Sequence, residues 1–409
     1  MPSSSKLSSR LRRRLLAGGA ASAGLVLVGC GSGGGFDALV GVGSGGTGSF
    51  TSGPIRGFGS IVVGTVRYED GSATILNDAG RAIGRADLRL GMIVDVTGSA
   101  ISIDAVGGQR RATASSIGLR SVIEGPVESI DAASATLIVL GQTVRVTATT
   151  VFDDALRGGL GALRPGGTVE IYGLMDEQGR CVATRIERED SIDRYKLRGV
   201  VSALDSGART MRIGALVISY AELPSVPDDL ADGQYVRVEL DSRAGAGGVW
   251  RATRLQSNVT AMNLPAAQQL EAELEGFVTT MTSSTRFEVD GVMVDTSMLA
   301  YLPPGLAPGR RVEVQGVLQG GLLIAGEVEL EDDDGSDDDG SDFEIEGTVS
   351  SVNRGAQTLV IHGVTVDYAT ARFVGGTPGQ LAVGVELEVE GRLAPDGNTL
   401  VASEIGFDE

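Results

Sequence analysis

The sequence contains little of the chemistry on which most catalytic centres depend. Its 409 residues include one histidine, His362, two cysteines, Cys30 and Cys181, and one tryptophan, Trp250. With one histidine and one cysteine beyond Cys30, serine–histidine or cysteine–histidine catalysis and histidine-rich zinc sites are nearly excluded. It also has no Gly-x-Ser-x-Gly, His-Glu-x-x-His or P-loop motif. We therefore predict a protein that is not an enzyme and has no cofactor.

Aromatic residues and positive charge are also scarce. Aromatic residues make up 4% of the chain, which argues against an aromatic-lined sugar groove, so a carboxylate-based envelope hydrolase is only a distant third interpretation. The net charge is −19, and removal of the first 29 residues, with five basic side chains and no acidic one, would make it −24. Such a charge repels phosphate backbones, so we expect no nucleic-acid partner.

The N-terminal segment has the pattern of a bacterial lipoprotein signal peptide over residues 1–29. A basic start is followed by an apolar run from Leu15 to Val28, which is too short to span a bilayer. The run ends in Leu27-Val28-Gly29 before Cys30, which resembles a lipobox whose cysteine becomes lipidated. An ordinary cleaved signal peptide is the alternative.

The same segment predicts an address in the cell envelope. The pair Arg12-Arg13 is compatible with twin-arginine export, and a general secretory signal explains it equally well. By resemblance to lipoproteins of Gram-negative bacteria, Gly31 after the lipidated cysteine implies sorting to the outer membrane, facing the periplasm or the surface. Residues 30–53 are rich in glycine and serine and predict a flexible tether.

The rest of the chain is built from five related segments with a period of roughly 70 residues, of which 122–187 is the clearest copy. Each contains an opening strand with a glycine, a later strand that follows a glycine, and a closing strand. We name them repeats 1 to 5, with boundaries at 54–120, 121–192, 193–260, 261–330 and 343–409. Because each repeat can enclose only a small core, we interpret them as beads, packed singly or in pairs.

Alternation of apolar and polar residues predicts an all-β fold. In repeat 5, Val385, Leu387 and Val389 should face inward while Glu386, Glu388 and Glu390 face solvent. A hairpin should turn at His362–Gly363. Five or six short strands in each repeat predict a tandem array of about five small barrels of the OB or SH3-like kind.

Three sequence motifs in the repeats resemble those of a known family. They are the Gly-Phe-Gly-Ser-Ile opening at 57–61, the Gly-x-Val/Ile-x-Val strand and the Ala-Thr-x-Ile closing strand. The repeats resemble a bacterial family of secreted proteins and lipoproteins called domain of unknown function 5666. The resemblance covers most of the chain after the tether, is closest in repeats 1 and 2, and is weaker in repeats 3 and 4. It implies a fold and an address but no active site.

An aspartate-rich segment, 331–342, separates repeats 4 and 5. A solvated linker is the favoured interpretation, because blocks of like charge repel one another. Alternate carboxylates also suit Ca²⁺, although the spacing is not that of an EF-hand. The candidate calcium ligands are Asp332, Asp334, Asp337, Asp339 and Asp342.

Isolated side chains carry weaker signals. We expect Cys181 to be a buried structural thiol, His362 to be an exposed turn residue and Trp250 to pack across a barrel mouth. The leading functional hypothesis is a lipid-anchored binding or spacer scaffold whose partner is an envelope protein or glycan. A calcium-responsive adhesion or binding protein that uses the aspartate-rich segment is the alternative.

Overall fold

The computed structural model describes residues 48–104, 108–190, 192–228, 230–257, 269–331 and 343–407. These residues form strands joined by turns and five short 3-10 segments, at Arg85–Asp87, Asp154–Leu156, Gly159–Ala162, Ala246–Gly248 and Pro378–Gln380. Among them there is no helix of the length and hydropathy needed to cross a membrane.

The strands fall into five consecutive groups, one for each repeat. Repeat 1 contains β1 (Ser49–Phe58), β2 (Ile61–Val63), β3 (Val66–Glu69), β4 (Thr74–Leu76), β5 (Ile93–Gly98), β6 (Ser102–Ile103) and β7 (Arg110–Leu119). Repeat 2 contains β8 (Ile123–Asp131), β9 (Thr136–Val139), β10 (Gln142–Arg145), β11 (Val151–Phe152), β12 (Thr168–Met175) and β13 (Cys181–Glu189). Repeat 3 contains β14 (Arg194–Asp205), β15 (Thr210–Ile213), β16 (Leu216–Ser219), β17 (Tyr235–Asp241) and β18 (Trp250–Ser257).

The last two repeats follow the same order. Repeat 4 contains β19 (Leu270–Ser283), β20 (Arg286–Val289), β21 (Val292–Asp295), β22 (Arg311–Gln319) and β23 (Leu322–Glu331). Repeat 5 contains β24 (Phe343–Asn353), β25 (Thr358–Ile361), β26 (Val364–Asp367), β27 (Arg372–Val374), β28 (Glu386–Leu393) and β29 (Thr399–Phe407).

In each repeat, five of the strands close into a barrel. In repeat 2, β8 pairs with β9 and β9 with β10, and β10 then runs parallel to the last strand, β13. Strand β12 pairs with both β13 and β8 and closes the ring. The other four repeats have the same circuit, which is the order of an OB barrel. The predicted all-β tandem array of small barrels is confirmed.

The predicted strand details in repeat 5 are also present. Leu387 and Val389 are completely buried. The hairpin turns at His362 and Gly363, whose φ angles of 50° and 78° are both left-handed. Two left-handed residues make the type of two-residue turn that matches the twist of paired strands.

The repeats are not separate beads, because strands pair across their boundaries. Strand β1 runs parallel to β19 at Ser49–Ser52 and parallel to β24 at Gly57 and Phe58. Strand β8 pairs with β14, which joins repeats 2 and 3. A Cβ atom on Gly57 would lie 2.3 Å from the Glu344 carbonyl oxygen, so only glycine permits this approach. The pairing therefore begins at Ser49, inside the segment for which the sequence predicts a tether.

The hydrophobic cores cross the same boundaries. Repeats 2 and 3 share one core, and repeats 1 and 5 share another. Repeats 1 and 4 exchange a phenylalanine: Phe50 of β1 packs into the core of repeat 4, and Phe277 of β19 packs into the core of repeats 1 and 5. Burial that crosses boundaries makes the stability of one repeat depend on its neighbours.

This exchange predicts that replacing two different phenylalanines of repeat 4 will destabilise different sets of repeats. Phe277→Ala should destabilise the protein by about 3–5 kcal/mol and accelerate amide hydrogen exchange in the strands of repeats 1 and 5. Phe287, equally buried but within the core of repeat 4, is the matched control. Phe287→Ala should accelerate exchange mainly in repeat 4. Identical exchange patterns for the two variants would contradict a shared core.

Candidate functional site

The main concentration of ionisable side chains lies between the barrels. In the strand register the opening glycine of repeat 1 is Gly53, so the residue before this glycine is Ser52, Glu124, Arg198, Glu275 and Glu346 in repeats 1 to 5. The matching outward position of the fourth barrel strand is Asp95, Glu170, Arg237, Glu313 and Glu388. These positions point out of each barrel, as the alternation predicts, but most meet a neighbouring repeat. Glu388, expected in solvent, lies 3.9 Å from Arg67 of repeat 1.

Repeat 1 inserts a carboxylate between two arginines of repeat 3. Asp78, in the turn after β4, lies 2.5 Å from the guanidinium of Arg198 and 2.9 Å from that of Arg237, and its side chain is 4% exposed. Lys196 lies 4.0 Å away. Burial alone would raise the pKa of Asp78, but Arg198 and Arg237 lower it below its ordinary value.

Repeat 1 also sends arginines into repeats 4 and 5. Arg56 contacts Glu275 at 2.8 Å, and Arg110 contacts Glu273 at 2.9 Å. Arg67 pairs with Glu346 at 2.7 Å. Although burial opposes ionisation of Glu275, its two guanidinium partners, Arg56 and Arg311 of its own repeat, lower its pKa to about 2.

Repeat 2 contains a group of three carboxylates that has fewer arginine partners than Asp78 or Glu275 has. Oxygen atoms of Glu170, Glu187 and Glu189 lie within 4.8 Å of one another. The Lys196 ammonium is 3.4 Å from Glu170, and Arg185 bonds Glu187 at 2.7 Å. Burial, reinforced by the two neighbouring glutamates, raises the pKa of Glu170 to about 7. Such a group supplies the oxygen ligands that hard cations prefer.

Among the described residues, those singled out by sequence lie in different repeats and do not form one site. Cys30, the lipobox and the five candidate calcium ligands of the aspartate-rich segment lie outside the described residues. Trp250 packs against the shared core of repeats 2 and 3, with its ring 5.6 Å from that of Tyr195. His362 is exposed in its turn, where Nε2 lies 3.0 Å from the Glu346 carbonyl oxygen.

Cys181 is a buried thiol, as predicted. It is completely buried at the start of β13, and burial raises its pKa to about 12. A thiol with such a pKa is protonated near neutrality and is a poor nucleophile.

Comparison with known families matches three of the five repeats. The family model of a domain of unknown function, DUF5666, covers residues 124–187, 266–329 and 346–406. The DUF5666 model therefore matches the chain in three tandem copies. No curated protein matches the chain. We expected repeats 1 and 2 to resemble the family most closely and repeat 4 to diverge, but the matched DUF5666 copies are repeats 2, 4 and 5.

The matched and unmatched repeats differ in charge at the outward positions. The three matched DUF5666 copies have glutamate before the opening glycine, at Glu124, Glu275 and Glu346, whereas the unmatched repeats have Ser52 and Arg198. Copies of opposite charge pair through different outward positions, as Arg56 of repeat 1 does with Glu275 of repeat 4. Sequence reasoning treated these outward rows as solvated faces and missed the carboxylate group, although the spacing of Glu187 and Glu189 on one strand was a visible signal.

The buried carboxylate between repeats 1 and 3 yields a testable prediction. Asp78→Asn removes the buried carboxylate that Arg198 and Arg237 share and should destabilise the protein by about 3–5 kcal/mol at pH 7. Because the folded state lowers the pKa of Asp78, this stabilisation is present above the ordinary pKa and is lost as the pH falls through the folded value. Urea unfolding at several pH values measures both effects.

The matched control for this experiment is an exposed ion pair. Asp154, whose side chain is 71% exposed, lies 3.3 Å from Arg157, and Asp154→Asn should change stability by less than about 1 kcal/mol. Equal losses in the two variants would show that the Asp78 pair is not buried in solution.

Glu170 should make the protein less stable as the pH rises. Its folded pKa of about 7 lies above the ordinary 4.5, so the folded state holds the extra proton between these values. Stability attributable to Glu170 is therefore greatest below pH 4.5 and declines as the pH rises towards 7. Glu170→Gln should remove up to about 3 kcal/mol of this pH-dependent loss of stability. The thermal midpoint of unfolding, determined from pH 5 to 8, measures the change. Glu386→Gln, on the exposed part of β28, should leave the decline unchanged.

Proposed function

We propose that the protein is a lipid-anchored component of the bacterial cell envelope that acts as a binding or spacing scaffold without enzymatic activity. Cys30 attaches the chain to the membrane, and the segment after it carries the barrels away from the lipid surface. The partner is an envelope protein or glycan, and no cofactor takes part.

The observation that best supports a scaffold is the use of charged residues between repeats. Asp78, Arg56, Arg67 and Arg110 each contact a different repeat from their own. Charged side chains used in this way hold the repeats in a fixed arrangement, so that surfaces from several barrels are presented together.

Some surfaces of the array remain available to a partner. The loop after β21 in repeat 4 runs from Ser297 to Pro308 without a charged residue, and it exposes 69% of Met298 and 85% of Tyr301. Exposed aromatic and methionine side chains are enriched where proteins bind one another. This loop is the first surface to test for contact with an envelope protein.

The envelope address predicts the result of one substitution. Cys30→Ser removes the lipidated side chain, so metabolic labelling with a radioactive fatty acid should be lost and the protein should move from the membrane fraction to the soluble fraction. Removal of lipid leaves no strong anchor, because membrane affinity comes from buried acyl CH₂ groups. Cys181→Ser is the control and should keep both the label and the membrane fraction. Unchanged labelling of the Cys30→Ser protein would show that the address is wrong.

A further inference from the structure

A cavity of about 330 Å³ lies where repeats 1, 2 and 5 meet. Leu90 of repeat 1, Phe152 of repeat 2 and Val364 of repeat 5 contribute apolar parts of its wall. We call it the junction cavity. Its volume falls at the small end of the roughly 300–1,000 Å³ typical of ligand sites. Because three repeats form its wall, it exists only when they are docked.

Asn398 lines this wall and has a hydrogen-bond acceptor that no described group uses. Its amide nitrogen donates to the carbonyl oxygens of Phe152 and Asp153, at 2.7 Å each. These two acceptors fix the orientation of the amide, because rotating it would place oxygen against oxygen. The Oδ1 atom is buried and has no hydrogen-bond partner in the described part of the chain. A buried acceptor without a donor is unfavourable.

His362 adds a second acceptor to the same wall. Its Nε2 atom lies 3.0 Å from the Glu346 carbonyl oxygen, and this contact is a hydrogen bond only if Nε2 carries the proton. In the neutral ring, Nδ1 is therefore an acceptor. The sole histidine of the chain is placed where it can accept a hydrogen bond from a molecule in the junction cavity.

The wall also has donors, and its carboxylates are largely engaged. Arg89 and Arg185 both line the cavity, and Arg185 is held by the Leu90 carbonyl oxygen at 3.2 Å and by Glu187 at 2.7 Å. Asp153 accepts hydrogen bonds from three backbone N–H groups at 2.8–3.0 Å. The junction cavity therefore offers fixed acceptors beside guanidinium donors, together with apolar patches.

A hydroxyl group both donates and accepts hydrogen bonds, so it fits a wall that contains donors as well as acceptors. A sugar ring combines several hydroxyl groups with apolar C–H faces. We propose that the junction cavity binds a small neutral polyhydroxylated ligand, a saccharide unit of an envelope glycan. The inference rests on the proposed function only for the source of this ligand, since binding itself requires neither Cys30 nor a membrane.

The single histidine provides a direct reporter of binding. Carbon–proton NMR correlation of the full chain should show one imidazole signal set, from His362. Glucose, N-acetylglucosamine and maltose, added separately as probes, should shift it saturably for at least one sugar, whereas triglycine should not. No saturable shift with any of the three sugars, or a shift with triglycine alone, overturns the proposal.

Cavity-filling substitutions locate the binding. Val364→Phe should fill the junction cavity and weaken sugar binding by at least about tenfold, a loss of about 1.4 kcal/mol. Ala162→Phe is the matched control, because Ala162 lines a different cavity, of about 270 Å³, formed within repeat 2. Equal affinities in the Val364→Phe and unsubstituted proteins would place the sugar elsewhere and contradict the proposal.

His362→Leu is a second test that still applies if Val364→Phe does not fold. Leu140 occupies the equivalent turn of repeat 2 with a φ of 48°, close to the 50° of His362, so leucine is compatible with this backbone. The variant removes the Nδ1 acceptor and should weaken sugar binding, measured by calorimetry, while the thermal midpoint is retained. Undiminished affinity would remove His362 from the site and overturn the proposal in this form.

Discussion

The arrangement of this protein depends on neutralising charged side chains that adjacent barrels bury against one another. Each barrel carries outward charged positions, and packing two such faces together removes those charges from water at a penalty of several kcal/mol for each ion. The chain meets this constraint by changing the sign of the charge from copy to copy. Arg56 of repeat 1 faces Glu275 of repeat 4, and Arg198 of repeat 3 faces Asp78 of repeat 1.

The use of arginine at these contacts follows from its geometry. A guanidinium is planar, remains charged when buried and can bond two oxygen atoms at once. Arg237 shows this directly, since it contacts Asp78 of repeat 1 and Glu239 of its own strand. The one lysine in the group, Lys196, lies beside several carboxylates, and burial lowers its pKa from the ordinary value. Lysine is thus found where the charge is less well matched, next to Glu170.

The fold of each barrel could be predicted from the sequence, but the way the barrels pack together could not. Alternation and turn chemistry are local signals, which is why the closed barrels, the hairpin at His362 and the buried Cys181 could all be predicted. Pairing between β1 and β19 joins residues more than 200 positions apart and leaves no local pattern. Ser49, Thr51 and Ser52 look like tether residues because they are small and polar, yet all three are buried.

The junction cavity shows why differences between copies matter more than the shared motif. Its polar wall includes Arg185, His362 and Asn398, which belong to two DUF5666 copies, and Arg89 of repeat 1. No single repeat forms the cavity from its own side chains. A ligand held there would bind the docked repeats and not the separated ones, so binding would stabilise the docked state by linkage. Conversely, loss of an inter-repeat ion pair would weaken ligand binding without touching the cavity, because the two equilibria share one arrangement of the repeats.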